Sequence, residues 1–565
     1  MRHQPADGVL LEGKERSLAW EDVVVPLALA LLPVILFLPF VNEPLDPDAG
    51  VYATVARWKM QGQVPYQDLF DHKQPLLYGW YALSFLLFGE EASSPRLLIL
   101  FHLAATTLLV YACGRLLFRS RAVGYTAALV FGLTPGLALV TQFGDARFLM
   151  LTPLMAGLWA YLMGYRTGAR GWYFLSGFFN GVAAATVILA GLNLLALVAF
   201  TWAFRRETGG GWLRGIGPLL AGAGLVLGLV VLPFAAAGAL NDMVYANVLY
   251  NWEYATHATQ HWAALGRSAG SVVLMAGPFF LAAAIGTLFL LRSLRRPEAS
   301  LLLAWTAASL LSFVAPGRLP YHYLIAGFPA LALLAGHALM QMWSSWDRPL
   351  VRVSALIAAP LLVAAVVANA QPYINPRSGA RLTQRYSTEE MYRMEHIPDV
   401  AAYVAKRTAK DDEVLYLGRH AGPFYFYSGR LPAARSILPC VPVDKNLTNE
   451  VLATVRTGRP AYVLDALRPE AGCSRASIRP ILDNLLREGY EFEGRIYFVD
   501  VYRRLPAAAD VVDSIHLHPT QALPPRPGRL PGPVNSAGTL SLRWPTPDFE
   551  HVARSGAVSQ VCALA

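Results

Sequence analysis

Eleven runs of mostly apolar residues constrain this chain more than any other feature. They fall near 23–41, 96–118, 122–141, 147–165, 172–189, 191–204, 214–237, 271–292, 299–315, 321–342 and 350–370. A hydrocarbon core about 30 Å thick takes about 20 such residues per helix. The expected fold class is a polytopic α-helical membrane protein with about 11 transmembrane helices. Composition points the same way: 55% of the 565 residues are hydrophobic and 15% charged, against about 25% charged in soluble domains. That balance excludes a cytosolic globule, and it excludes disorder for most of the chain. Four cysteines with no C-x-x-C pair exclude a disulfide-stapled miniprotein and a zinc ribbon. The net charge of +9 does not mark a nucleic-acid partner, because the arginines sit in short clusters between apolar runs.

Those clusters set the expected orientation. Alternate loops hold Arg115/Arg119/Arg121, Arg166/Arg170, Arg205/Arg206/Arg214, Arg292/Arg295/Arg296 and Arg348/Arg352, whereas the loops between them hold Arg147, Arg318 or no basic residue. Basic loops stay in the cytoplasm. The first span is expected to be retained, since acids balance bases at its flank and no small-residue cleavage site follows. The expected division is a cytoplasmic N-terminus at 1–22 and a membrane domain at 23–370 with a long first external loop at 42–95. The 238–270 loop and everything beyond about 370 would then also lie outside, in the inner or plasma membrane of a cell.

Residues 385–505 read as a small extracytoplasmic α/β domain. Strand-like runs at 414–417, 461–464 and 495–499 alternate with helix-like runs at 397–409 and 478–489. Cys440 and Cys473 fall there, and either a disulfide or two free thiols fits that compartment. Residues 506–565 are rich in Pro, Ala and Ser and are expected to be disordered. Within the first loop, Ala49 to Met60 reads as a helix lying in the interface plane or as a plain loop helix. The aromatic and amide-rich segment from Asn241 to Trp262, with His257 and His261, reads mainly as an interfacial belt, with a lid over a cavity as the alternative.

Ionisable groups at one membrane surface of a charge-poor protein are the functional candidates. Asp46, Asp48 and Tyr52 follow the first span; His72 and Lys73 close the same loop; Asp145 follows the third span; Arg318, Tyr321 and His322 open the tenth. By the topology above they share one side and one depth. Three acids with Lys73 and Arg318 suit an anionic lipid head group and a hydroxyl acceptor.

The loop sequence D-P-D-x-G-x-Y followed by P-Y-x-D-x-F-D-H-K-x-P-L-L-Y resembles the first loop of the dolichyl-phosphate-mannose protein mannosyltransferase and aminoarabinose transferase superfamily, glycosyltransferase family 39 of the GT-C fold. Asp145 and the Tyr321-His322-Tyr323…Pro329 segment are similar to that family too, so the match covers about 25–370. Two departures stand out: Ala49 where the family usually has Glu after the Asp, and Gln74 in place of the first proline after the Lys.

The resemblance implies an enzyme that moves a sugar from a polyprenyl phosphate to an extracytoplasmic protein, lipid or glycan hydroxyl, with inversion. Asp48 matches the catalytic Asp and would be the general base, because a hydroxyl needs one; it could equally cap the loop helix. Asp145 would orient the acceptor or the donor sugar. Lys73 and Arg318 would bind the donor phosphate, Arg318 bidentately. Asp46, Tyr52, His72, Tyr321 and His322 are substrate-binding candidates, with Asp46 weighed against a turn-forming role. No cofactor or metal is expected, although carboxylate and imidazole ligands would suit a divalent ion. The alternatives are a polyprenyl-diphosphate-dependent polymerase or ligase and a lipid-linked-solute transporter or flippase; against the latter, no interrupted internal repeat is visible.

Overall fold

A computed structural model of the chain describes residues 20–138, 144–205, 214–256, 277–315, 321–347, 388–437, 445–467 and 475–505. Helices occupy ten of the eleven apolar runs: α1 (Glu21–Phe37), α4 (Ser94–Phe118), α5 (Arg121–Ala138), α6 (Ala146–Thr167), α7 (Arg170–Thr186), α8 (Gly191–Ala203), α9 (Ile216–Ala236), α12 (Gly277–Leu291), α13 (Pro297–Val314) and α14 (Phe328–Ser344). The eleventh run, 350–370, lies outside the described residues, as do Arg318, His257, His261, Trp262, Cys440, Cys473 and the tail. Among the described residues, six helices are long and apolar enough to cross a membrane. Their outward faces are apolar, with Leu31, Ile35, Leu227 and Leu232 each more than half exposed. A surface of that kind is stable only against lipid. The chain is an integral membrane protein.

Inside the bundle, small residues set the spacing. Gly177 lies against the backbone of Leu219, and Gly222 against that of Phe174, so α7 and α9 touch where no Cβ would fit. Between α7 and α8 the chain turns at an extended Val187 and a short 3₁₀ turn at Ile188–Ala190. The runs at 172–189 and 191–204 are therefore two separate helices.

The first loop departs from expectation. It contains α2 (Pro47–Met60) and α3 (Pro75–Phe88). α2 does not lie in an interface plane: ten of its fourteen residues are buried, on every side. One side rests on α3, with the Tyr52 and Tyr81 rings edge to face at 5.6 Å. The other is covered by α16 (Ala421–Ser428), from the far end of the sequence. Gly50 meets Pro423 and Gly422 meets the backbone of Val51, contacts that leave no room for a side chain on either glycine. Thr54 Oγ1 donates to the Gly422 carbonyl at 2.7 Å, and Arg57 bonds the Phe426 carbonyl while covering its ring.

The segment read as the 238–270 loop is helical where described: α10 (Leu240–Val244), a π-helical turn at Tyr245–Leu249 and α11 (Tyr250–Thr256). Tyr250 is buried against Phe70 rather than standing in a belt, while Trp252 is exposed.

Beyond residue 387, α15 (Thr388–Ala405), α16, α17 (Lys445–Arg456) and α18 (Arg475–Gly489) surround a five-stranded mixed sheet of order β2-β1-β3-β5-β4. β1 (Glu413–Leu417) pairs in parallel with β2 (Leu431–Pro432) and with β3 (Tyr462–Asp465), and β5 (Val499–Arg504) runs antiparallel to β3 and to β4 (Tyr490–Ile496). The run at 495–499, expected as one strand, is instead the hairpin turn between β4 and β5. Tyr497 takes a left-handed conformation there, with φ at 54°.

Candidate active site

Two helix N-termini meet at one end of the bundle. Asp46 caps α2, its Oδ1 accepting from the Ala49 amide at 2.9 Å. Asp145 caps α6, accepting from the Arg147 amide at 2.7 Å. The two caps touch through Gly144, where an added Cβ would lie 2.5 Å from Ala49 Cβ and 3.5 Å from Asp46 Oδ2. Tyr81 fixes this junction by donating to the Gly144 carbonyl at 2.5 Å. Helix N-termini carry partial positive charge and favour carboxylates, so the fold gathers acids here without prohibitive cost.

The capping residue of α2 is thus Asp46 and not Asp48. Asp46 is buried; burial and then the neighbouring Asp48 carboxylate push its carboxyl up to about 6. Asp48 sits in the first turn of α2, two positions inside the cap, and is exposed. An open carboxylate at a helix N-terminus can take a proton from an incoming group; a capped, buried one is already occupied.

Asp145 is held differently. Arg147 Nη1 lies 3.1 Å from its Oδ1 and 2.9 Å from its Oδ2, and the guanidinium rests 3.4 Å above the Tyr323 ring centroid. His322 Nε2 approaches Asp145 Oδ2 at 3.8 Å. Asp48, Arg147 and Lys73 all lie close enough to His322 to act on its charge. Asp48, Asp145, Lys73 and His322 therefore share one space. Tyr52 joins them, buried beneath Asp48 and Asp145, whose charges together with burial raise its hydroxyl well above the ordinary tyrosine value. Tyr321 contributes its backbone to the 3₁₀ turn before α14. Its side chain lies outside the described residues, as does Arg318.

The loop before α3 is built to aim Lys73. Tyr66 adopts φ 72°, a conformation that costs about 1–3 kcal/mol in a non-glycine residue. Its hydroxyl donates to the Lys73 carbonyl at 2.7 Å. Asp71, almost fully buried, accepts from the Tyr78 hydroxyl at 2.8 Å and the His72 amide at 2.7 Å. Burial pushes Asp71 up, while Lys73 and these two hydrogen bonds pull it back. His72 turns its Nε2 to Lys73 Nζ at 3.3 Å and stacks near Tyr250, while Asn251 donates to its carbonyl at 2.8 Å. His72 therefore faces Lys73. From the other side the Phe70 amide donates to the Arg435 carbonyl at 2.7 Å, tying the loop to the sheet domain.

Two residues were not foreseen. Arg147 was read as a lone loop cation; the signal was its position two residues after Asp145, at the start of an apolar run. Asp71 was passed over, although its place two residues before Lys73 puts it within reach of the same loop. Among the described residues no three His, Cys, Asp or Glu side chains cluster as metal ligands.

A polytopic bundle with a buried first-loop helix, an acid and cation cluster at one end and a terminal α/β domain is the GT-C architecture. In the solved structure of ArnT from Cupriavidus metallidurans bound to undecaprenyl phosphate, the same fold recurs with a TM-score of 0.55 over 87% of this chain and 99% of that one, at 18% identity. An Archaeoglobus fulgidus oligosaccharyltransferase tethered with an acceptor peptide follows at 0.52, covering 87% of this chain and 74% of that one, at 12% identity. In sequence, residues 73–236 match the family described as dolichyl-phosphate-mannose-protein mannosyltransferase. The undecaprenyl phosphate-alpha-4-amino-4-deoxy-L-arabinose arabinosyl transferases of Yersinia pestis and Yersinia pseudotuberculosis are 27% identical over 336 residues, 55% of this chain. The match spans 58% of the length of those relatives. The resemblance drawn from the loop motifs is thereby met in fold and in sequence: the relatives are glycosyltransferases.

Proposed function

We propose that this protein is a membrane glycosyltransferase that moves a sugar from a polyprenyl-phosphate carrier to an acceptor hydroxyl on the extracytoplasmic side. The observation that carries this reading is the exposed Asp48 at the α2 N-terminus, facing the same space as Lys73 and the Asp145–Arg147 pair. Asp48 takes the acceptor proton as the acceptor oxygen bonds to the anomeric carbon. The bond from that carbon to the phosphate oxygen breaks on the opposite face, its electron pair leaves with the phosphate, and the anomeric centre inverts. Lys73 neutralises the departing anion, with Arg318 as its partner in the loop before the 3₁₀ turn. Asp145 is too firmly bound by Arg147 to serve as a base and orients the sugar or acceptor instead. The reaction runs without a divalent ion, since a monophosphate leaves as an anion that side-chain cations can hold. The basic loops between alternate spans support an outward-facing site. Charges gathered at one end of the bundle favour surface chemistry over solute transport.

The test is turnover in lipid nanodiscs with a panel of undecaprenyl-phosphate sugars, read as release of undecaprenyl phosphate. The wild type is expected to consume at least one donor, in the presence of EDTA as in its absence, and Asp48→Asn to consume none. An Asp48→Asn protein working near the wild-type rate would refute the base assignment. Turnover that EDTA abolishes would favour a metal-dependent ligase.

A further inference from the structure

Arg147 makes both of its side-chain contacts to Asp145 through a single nitrogen, Nη1. Tyr323 covers the face of the guanidinium. Among the described residues, Nη2 and Nε meet no hydrogen-bond acceptor, although the side chain is only 13% exposed. A guanidinium carries five donors in a fixed fork, and these two nitrogens are not sealed from solvent, so the edge is open to an incoming acceptor. Such an edge is normally met by an anion. The surroundings agree. Arg147 stands in the first turn of α6, whose N-terminus adds positive potential, and Lys73 acts on the same neighbour, His322. The acid facing it is Asp145, already paired to Nη1, with Tyr52 and Tyr323 beside it; Asp48 acts on the neighbouring His322.

We infer that the open edge of Arg147, together with Lys73, forms the seat for the phosphate of the lipid carrier, with Asp145 and Tyr323 holding the guanidinium in place. This rests on the transferase reading and names a binding residue for it. The arrangement also divides labour between the acids: Asp145 serves the leaving side through Arg147, and Asp48 stays open for the acceptor.

The experiment measures binding of undecaprenyl phosphate, with undecaprenol as the uncharged control, to the full-length protein in nanodiscs. Arg147→Met and Lys73→Met should each weaken undecaprenyl phosphate by about tenfold or more, the worth of a charge-assisted hydrogen bond, and leave undecaprenol unchanged. Arg503→Ala, on the surface of the sheet domain, should stay within about threefold of the wild type. Should Arg147→Met fold poorly because Asp145 is left unpaired, Asp145→Asn/Arg147→Met keeps the charge balanced and should show the same loss. Wild-type affinity in a folded Arg147 variant, or an equal loss in Arg503→Ala, would overturn the inference. A wild type that does not distinguish undecaprenyl phosphate from undecaprenol would overturn the transferase reading itself.

Discussion

The two ends of this chain spend charge in opposite ways. At the α2–α6 junction Asp46, Asp71, Asp145, His72 and His322 are all buried, and the three carboxylates are engaged by a cap, a hydroxyl or a guanidinium. On the C-terminal sheet, Arg503 and Glu491 pair at 2.9 Å with more than half of each side chain exposed. Buried charge is expensive and exposed pairs contribute little. A chain that pays for the first while the second lies idle on its surface marks the first as the working region. Asp48 sharpens the contrast, because it is the open acid among closed ones.

The sharpest way to break this comparison is to neutralise the open acid. Asp48→Asn should lower transfer by about 10²–10⁴-fold, the range for a lost general base, with the melting temperature unchanged in the same detergent. A smaller effect concerns the closed acid beside it. Burial makes Asp46 harder to ionise in the folded protein than in the unfolded chain, so its contribution to stability is complete below its ordinary value of 3.8 and is lost as pH rises through about 6. Asp46→Asn, which can still cap α2, should therefore melt higher than the wild type at pH 7.5, by up to about 3 kcal/mol. The two proteins should converge near pH 4, and a difference independent of pH would remove Asp46 from the buried cluster.

The junction between the two regions comes next. Gly422→Ala drives a methyl group into the backbone of Val51 on α2. It should cost about 1–3 kcal/mol by overpacking and lower transfer as α2 shifts, with melting and turnover falling together. Arg503→Ala should be the mildest change, within about 1 kcal/mol. A larger loss there would mean that the sheet surface carries function after all.

The membrane helices were legible because a bilayer demands apolar length, and length is a local property of sequence. The strands at 413–417 and 462–465 were legible for a related reason, as short apolar runs between turns. The burial of α2 was not. Its cover, α16, lies some 370 residues away in the chain, and Arg57 gave the helix a false polar face that in fact bonds the Phe426 carbonyl. At the site, Asp48, Asp145, Lys73 and His322 could be gathered by reasoning about which loops share a side. Arg147 was missed, although its place two residues after Asp145 was the available sign. Nor could the capping role of Asp46 rather than Asp48 be read there, since it depends on a helix beginning at Pro47 rather than two residues later.

The central claim is that Asp48 faces a lipid phosphate seated on Lys73. The structure of the protein in nanodiscs with undecaprenyl phosphate, determined by cryo-electron microscopy, tests it most directly. The phosphate is expected within hydrogen-bonding distance of Lys73 Nζ and the free edge of Arg147, with Asp48 across an open gap from it. Phosphate density away from Lys73, or Asp48 turned toward lipid, would contradict the account.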